Sequence, residues 1–261
     1  MRQLISHCLA VLRNLRLLGL HLVGNAVLLI SASLWLLVPE QHAWQLVFAA
    51  VSALLLIFLF LWLHAGTLVF AADPTTGKLL PAFHVRLRQL GWLLLGLVLL
   101  LASMWFVSGW SESIAQIAGY AYSKTPASWR PVQGNIAFLH VGEFLLSVLV
   151  CYLLPGLWLP LMAAKVVGKD FVAGFRTLRR LTYWLLLGVL ALSGIWLPQL
   201  VLNWRPGTSL TQEMSSLGIR LVLAYLIATL AWLATCGLLG YGWPTKESTP
   251  KEADESGQST S

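Results

Sequence analysis

Six long stretches of apolar sequence, at 17–38, 44–71, 90–110, 136–166, 182–202 and 217–241, alternate with short segments that carry most of the charge. Each has the length of about 20 residues that a helix needs to cross a hydrocarbon core. The alternating segments of about ten residues that mark a membrane barrel do not occur. A lipid-exposed backbone must satisfy its hydrogen bonds within its own segment, so the pattern predicts an all-α integral membrane protein, a bundle of six transmembrane helices.

Three of the polar segments have a helical period of their own. In 171–181, apolar Phe171, Val172, Phe175, Leu178 and Leu181 recur at helical spacing, with Lys169, Arg176, Arg179 and Arg180 mostly between them. This is the pattern of an amphipathic helix lying in the headgroup layer. Segment 1–15 (Leu4, Ile5, Cys8, Leu9, Leu12, Leu15) behaves alike, and 79–90 does so less cleanly. Each such elbow precedes a span leaving the same face.

Sliding the chain by 92 residues places Phe83 on Phe175, Arg88 on Arg180, and the block from Trp92 to Gly96 on the block from Trp184 to Gly188. A weaker copy aligns Arg13 to Arg16 with Arg176 to Arg179. Spans two and three then match four and five, and span six with span one completes a third unit if the chain is read circularly. Such self-similarity points to internal helix-hairpin repeats. They occur in transporters and equally in inert scaffolds.

The elbow from Phe175 to Gly188, with its Leu-Arg-Arg-Leu and Tyr-Trp-Leu-Leu-Leu-Gly runs, resembles one in the bacterial six-helix proteins related to the membrane domain attached to glycerophosphodiester phosphodiesterases. The resemblance covers about residues 1 to 243 and carries over no functional residue. The phosphodiesterase catalytic domain is not in the sequence, so the resemblance implies a lipid-associated envelope protein without that activity.

Composition agrees with a membrane protein. The 261 residues are 58% hydrophobic and 10% charged, against roughly a quarter charged in soluble domains, and the mean hydropathy is +0.77. Seventeen Lys and Arg face ten Asp and Glu. Thirteen of the seventeen fall on the side of the elbows and termini, leaving Lys124, Arg130, Arg205 and Arg220 on the other. By the positive-inside rule both termini are cytoplasmic, in a bacterial inner membrane, and the basic surplus needs no nucleic acid. Trp44, Trp110, Trp129 and Trp204 mark outer edges and Trp92, Trp184 and Trp243 inner ones, as aromatic belts do. The segment before span one is too charged for a cleavable signal, and 244–261 reads as a disordered tail. Cys8, Cys151 and Cys236 show no disulfide or metal spacing. The sequence lacks phosphate-loop, dinucleotide, zinc-protease and serine-hydrolase motifs, so catalysis is not expected.

Ionisable groups at membrane depth are costly and hence functional candidates. His140 and Glu143 share a face of span four, and Gln199 and Arg220 lie at similar outer depth. The four are expected either to pin helix four to helix six through an ion pair or to line an outward-facing site for a small solute or lipid. His21 and His64 sit at matched depth as satisfied interior groups, with ligation of a b-type haem as the alternative. Arg13, Arg16, Arg86, Arg88, Arg176, Arg179 and Arg180 are the candidates for anionic headgroups, each worth on the order of 1 kcal/mol near a charged surface. The external segment 111–135, with Ile114, Ile117 and Tyr120 on a short surface helix, is expected to be an interfacial cover for the bundle, with contact of Lys124, Trp129 and Arg130 to anionic headgroups or a partner protein as the alternative. The expected role is that of a lipid-facing envelope component or a subunit of a membrane complex.

Overall fold

A computed structural model describes residues 2–39, 41–74, 78–132, 134–204 and 209–241. Among them every regular element is helical, and six helices are long and apolar enough to cross a membrane. The expected tail, Arg205, Trp243, Lys246 and Lys251 lie outside the described residues.

The chain runs as elbow, outgoing helix and incoming helix three times in linear order. The first set is α1 (Arg2–Leu12), α2 (Leu15–Trp35) and α3 (Ala43–Ala72). The second is α4 (Leu79–Ala82) and α5 (Leu87–Ser108), then a surface helix α6 (Ser111–Lys124), then α7 (Ile136–Val148) and α8 (Leu154–Val166), joined by a π turn at Leu149–Leu153. The third is α9 (Phe171–Leu178), then α10 (Leu181–Ala191) and α11 (Leu197–Asn203), joined by a second π turn at Leu192–Trp196, and finally α12 (Leu210–Gly240). No circular reading is needed to find three sets.

Each elbow is a short helix, a break at an extended residue, and a long helix. Asn14, Arg86 and Arg180 are the extended N-cap residues. Asn14 accepts from the Leu17 amide at 3.0 Å, and Gln89 folds back to accept from the Arg86 amide at 2.8 Å, so orphan donors of the first turns find partners. Gly168, at φ +80°, ends α8 in the left-handed conformation that glycine adopts at little cost. The Lys169 amide then reaches back to Ala164 O at 2.8 Å.

The core sits at the elbow end, where the last turns of α3, α8 and α12 meet. Phe70, Ala71, Ala163, Ala164, Val166, Leu233, Cys236 and Leu239 are all buried there, whereas the far half of α3 is mostly exposed. Small residues allow the approach: a Cβ at Gly240 would collide with the Ala71 carbonyl. Each elbow packs on the incoming helix of the preceding set. Phe83, just after α4, covers Gly66 of α3, and Gly174 of α9 lies against Pro160 and Leu161 of α8. The ring closes with α1 on α12, where a Cβ at Gly237 would stand 2.9 Å from Cys8 Cα.

Proline sets the irregularities. Both π turns end two residues before a proline, Pro155 and Pro198, with the Leu154 and Leu197 amides bonding to Leu149 O and Leu192 O across the widened turn. Such a turn absorbs the missing donor and the ring clash of proline. The bend at Pro198 went unread in the sequence. Pro160, inside α8, leaves Gly156 O without its helical donor, and the buried Tyr183 hydroxyl supplies one from α10 at 2.9 Å.

The far-edge Trp44, Trp110, Trp129 and Trp204 are exposed, as a belt requires. Trp92 and Trp184, expected at the inner edge, are half-buried and brace the elbows. Trp184 donates to Leu178 O at 2.9 Å, and Trp92 packs edge-on against Phe171 with the Lys165 ammonium over both rings.

Tyr183→Phe should cost about 1–2 kcal/mol in unfolding by SDS in mixed micelles, because it leaves Gly156 O unpaired in an apolar site. Adding Pro160→Ala restores an amide at that turn and should return part of the loss. Additive losses would contradict this account.

Candidate functional site

Three groups of polar residues were expected to matter, and the fold treats them differently. The far-end cluster does not assemble as expected. His140 and Glu143 are exposed on α7, whose main packing partner is α6, with Ile114 filling the space over Gly142. Gln199 is exposed on α11 and borders a shallow groove of about 420 Å³ with Trp196, Leu200, Asn203 and Trp204. All five belong to one continuous helix and its end, so the groove is a surface feature and not an interhelical cavity.

Arg220 points elsewhere. It is 7% exposed, and its Nη1 donates to Leu202 O at 3.0 Å and to Trp204 O. Its Nη2 donates to Glu213 O at 3.4 Å. The first two acceptors are carbonyls at the C-terminal end of α11, which carry partial negative charge and lack helical donors. The expected Glu143–Arg220 ion pair is therefore corrected: Arg220 pins span five to span six by capping a helix end. Among the described residues the ion pair within 4 Å is Lys165–Asp170, at 3.8 Å on the opposite end. A guanidinium at an open helix end gains several acceptors without desolvating a carboxylate, so the carbonyls win.

His21 and His64 do meet, with ring centroids 5.5 Å apart. Thr67 donates its hydroxyl proton to Leu63 O at 2.8 Å, so it accepts from His21 Nε2, at 2.5 Å. Nδ1 of His21 then accepts from Asn25 Nδ2 at 3.1 Å. Both imidazole nitrogens of His21 are committed to neighbours. A bis-histidine haem iron needs one of them free, so the residues as placed do not fit a haem. His64 is wedged edge-on between Phe60 and Trp232, and its Nδ1 is buried without a partner, as is Trp232 Nε1. Sequence reasoning missed Thr67 and Trp232, whose roles show only once α2, α3 and α12 are packed.

The elbow arginines come together at one end. Arg13, Arg16, Arg86, Arg88, Arg176, Arg179 and Arg180 are all exposed. Beside them stand the exposed apolar side chains of Leu15, Leu80, Leu87, Val172, Phe175 and Leu181. Cations and apolar groups sharing a surface suit the boundary between headgroups and acyl chains. At the opposite end Arg130, also exposed, donates to Thr125 O at 3.0 Å and stands over the Tyr122 ring, while Lys124 lies over Tyr120.

Arg220→Met should lower stability to SDS by about 2 kcal/mol, since it strips the donors from a helix end and removes a favourable charge there. Glu143→Gln should stay within about 0.5 kcal/mol of the parent protein, as exposed substitutions do. Equal losses from the two variants would restore the ion pair.

Compared with protein-family models, with curated proteins and with solved structures, the chain finds no match.

Proposed function

We propose that the protein is a non-catalytic component of a bacterial inner membrane that anchors anionic lipid at one leaflet through its three cationic elbows, as a lipid-facing envelope protein or a subunit of a membrane complex. The observation that carries this reading is the gathering of all seven elbow arginines, exposed and interleaved with exposed apolar residues, at a single end of the bundle. Anionic headgroups are the abundant counter-charge at that level of a membrane, and cations held near them gain on the order of 1 kcal/mol apiece.

The same asymmetry supports one orientation of the chain. Among the described residues, eleven Lys and Arg belong to the elbow end and three to the far end, so the positive-inside rule puts the elbows and both termini in the cytoplasm. The threefold order of elbow, outgoing helix and incoming helix supports internal repetition, with each copy presenting one elbow to the same leaflet. The resemblance to the membrane half of the glycerophosphodiester phosphodiesterase-linked proteins is compatible with such a role.

After delipidation and reloading from an equal mixture of phosphatidylglycerol and phosphatidylcholine, the parent protein should retain the anionic lipid preferentially. Replacing Arg176, Arg179 and Arg180 together by Gln should lower that preference by about tenfold or more, from three lost headgroup contacts. An unchanged ratio would count against the elbows as lipid anchors. A carboxy-terminal fluorescent-protein fusion should fluoresce and a phosphatase fusion should be inactive; the reverse would invert the orientation.

A further inference from the structure

An apolar crevice lies beneath the first elbow. Helix α1 lies along the last turns of α12, where Tyr241 donates to Gln3, and is tied to the end of α3 by His7 Nε2 on Ala71 O at 2.8 Å. Helix α10 flanks α12 as well. The space left between them is a crevice of about 170 Å³ bordered by Ile5, Leu9, Val189, Leu190, Ala234 and Leu238, among other apolar residues. No polar surface lines it. Burial in the same wall pushes the Cys8 thiol up to about 11, in keeping with a dry site.

Directly adjoining this crevice, and sharing Ile5 and Leu9 with it, is a shallow surface groove along the outer face of α1. It is bordered by Arg2, Ser6, Ala10 and Arg13. The spacing of these four residues puts them on one stripe of the helix. Ser6 lies between the two arginines, and α1 has no acidic residue to neutralise them. Neither guanidinium has a protein partner among the described residues.

We infer that α1, α10 and α12 form a stoichiometric site for one anionic glycerophospholipid, its phosphate in the α1 groove between Arg2 and Arg13 and one acyl chain in the crevice below. Depth agrees with this division. Leu186, Val189 and Leu190 lie about 8–14 Å along α10 from its elbow end, which is the level of the acyl chains when the arginines are at the headgroups. Guanidinium forks match phosphate oxygens in geometry and charge, and Ser6 adds a neutral donor. An apolar void open to the bilayer forfeits dispersion contacts on its lining, which a lipid tail supplies. The inference builds on the lipid-anchoring role of the elbows and shares Arg13 with it, but adds Arg2, Ser6 and the crevice between α1, α10 and α12, so the triple variant at the third elbow separates the failure of one from the failure of the other.

Native mass spectrometry of the full chain, titrated with phosphatidylglycerol and with phosphatidylcholine, tests it. The parent protein should hold one phosphatidylglycerol that survives collisional activation releasing all others. Arg2→Gln with Arg13→Gln should weaken that adduct at least tenfold and abolish its preference over phosphatidylcholine. Val189→Trp, which fills the crevice from a lipid-facing position, should abolish the adduct for both lipids, and Ile5→Trp provides a second filling variant should the first not fold. The Arg176, Arg179 and Arg180 triple variant should keep this one adduct while losing the diffuse anionic preference. Persistence of the adduct in the folded arginine and crevice variants would overturn the site, and glycerol phosphate lacking acyl chains displacing it fully would show headgroup binding alone and overturn the crevice assignment. Loss of the adduct in the triple variant would reduce the site to the general charge of the elbows and likewise overturn it.

Discussion

A carbonyl without a donor has no water to turn to inside a membrane, and each one left unpaired costs several kcal/mol in hydrocarbon. The fold can be followed from one such group to the next. The end of α3 offers Ala71 O, taken by His7. The end of α8 offers Val166 O, taken by Gln89 at 2.6 Å. The end of α9 offers Leu178 O to Trp184, the end of α11 offers its carbonyls to Arg220, and Pro160 frees Gly156 O for Tyr183. In every case the donor comes from a different element, so satisfying the backbone also ties helices together. Packing of small residues at the elbow end brings those donors within reach.

This economy explains why the far half can be loosely packed. Away from the elbow end, α3 and α7 are regular helices whose backbones are complete in themselves, and their exposed apolar side chains are at home in lipid. They need no partners, and α7 is in extensive contact with little beyond α6 and its own π turn. The Arg220 clamp between α11 and α12 and the Trp35 Nε1 donation from α2 to Ala49 O of α3, at 2.8 Å, are ties at that end, the first placed where α11 stops and its carbonyls would otherwise be bare.

The spans and elbows were legible because length and helical period are properties of the sequence itself. All six spans fall where the apolar runs are, and Phe171–Leu178 forms the amphipathic helix its spacing requires. What stayed hidden were interactions without a sequence signature. Charge-based reasoning gave Arg220 a carboxylate, because Glu143 was the acid within a span, whereas its acceptors are backbone atoms that any sequence would possess. Pro198 had the same offset from a π turn as Pro155, but the turn is visible only in the hydrogen bonds. Trp92 and Trp184 sit at the expected depth yet serve as struts, since whether an indole faces lipid or protein depends on the neighbouring helix. The two histidines were matched in depth correctly, while the Thr67 bond that decides their chemistry comes from a residue that reads as an ordinary helix position.

The docking of α1 on α12 joins residues 238 apart in sequence. During synthesis the first of these emerges long before the second exists, so the earliest elbow must wait, resting on the membrane surface or held by an insertion factor, until the last span has been delivered. Closure of the bundle is therefore a step that follows delivery of α12, and its speed is governed by how quickly α1 finds that helix.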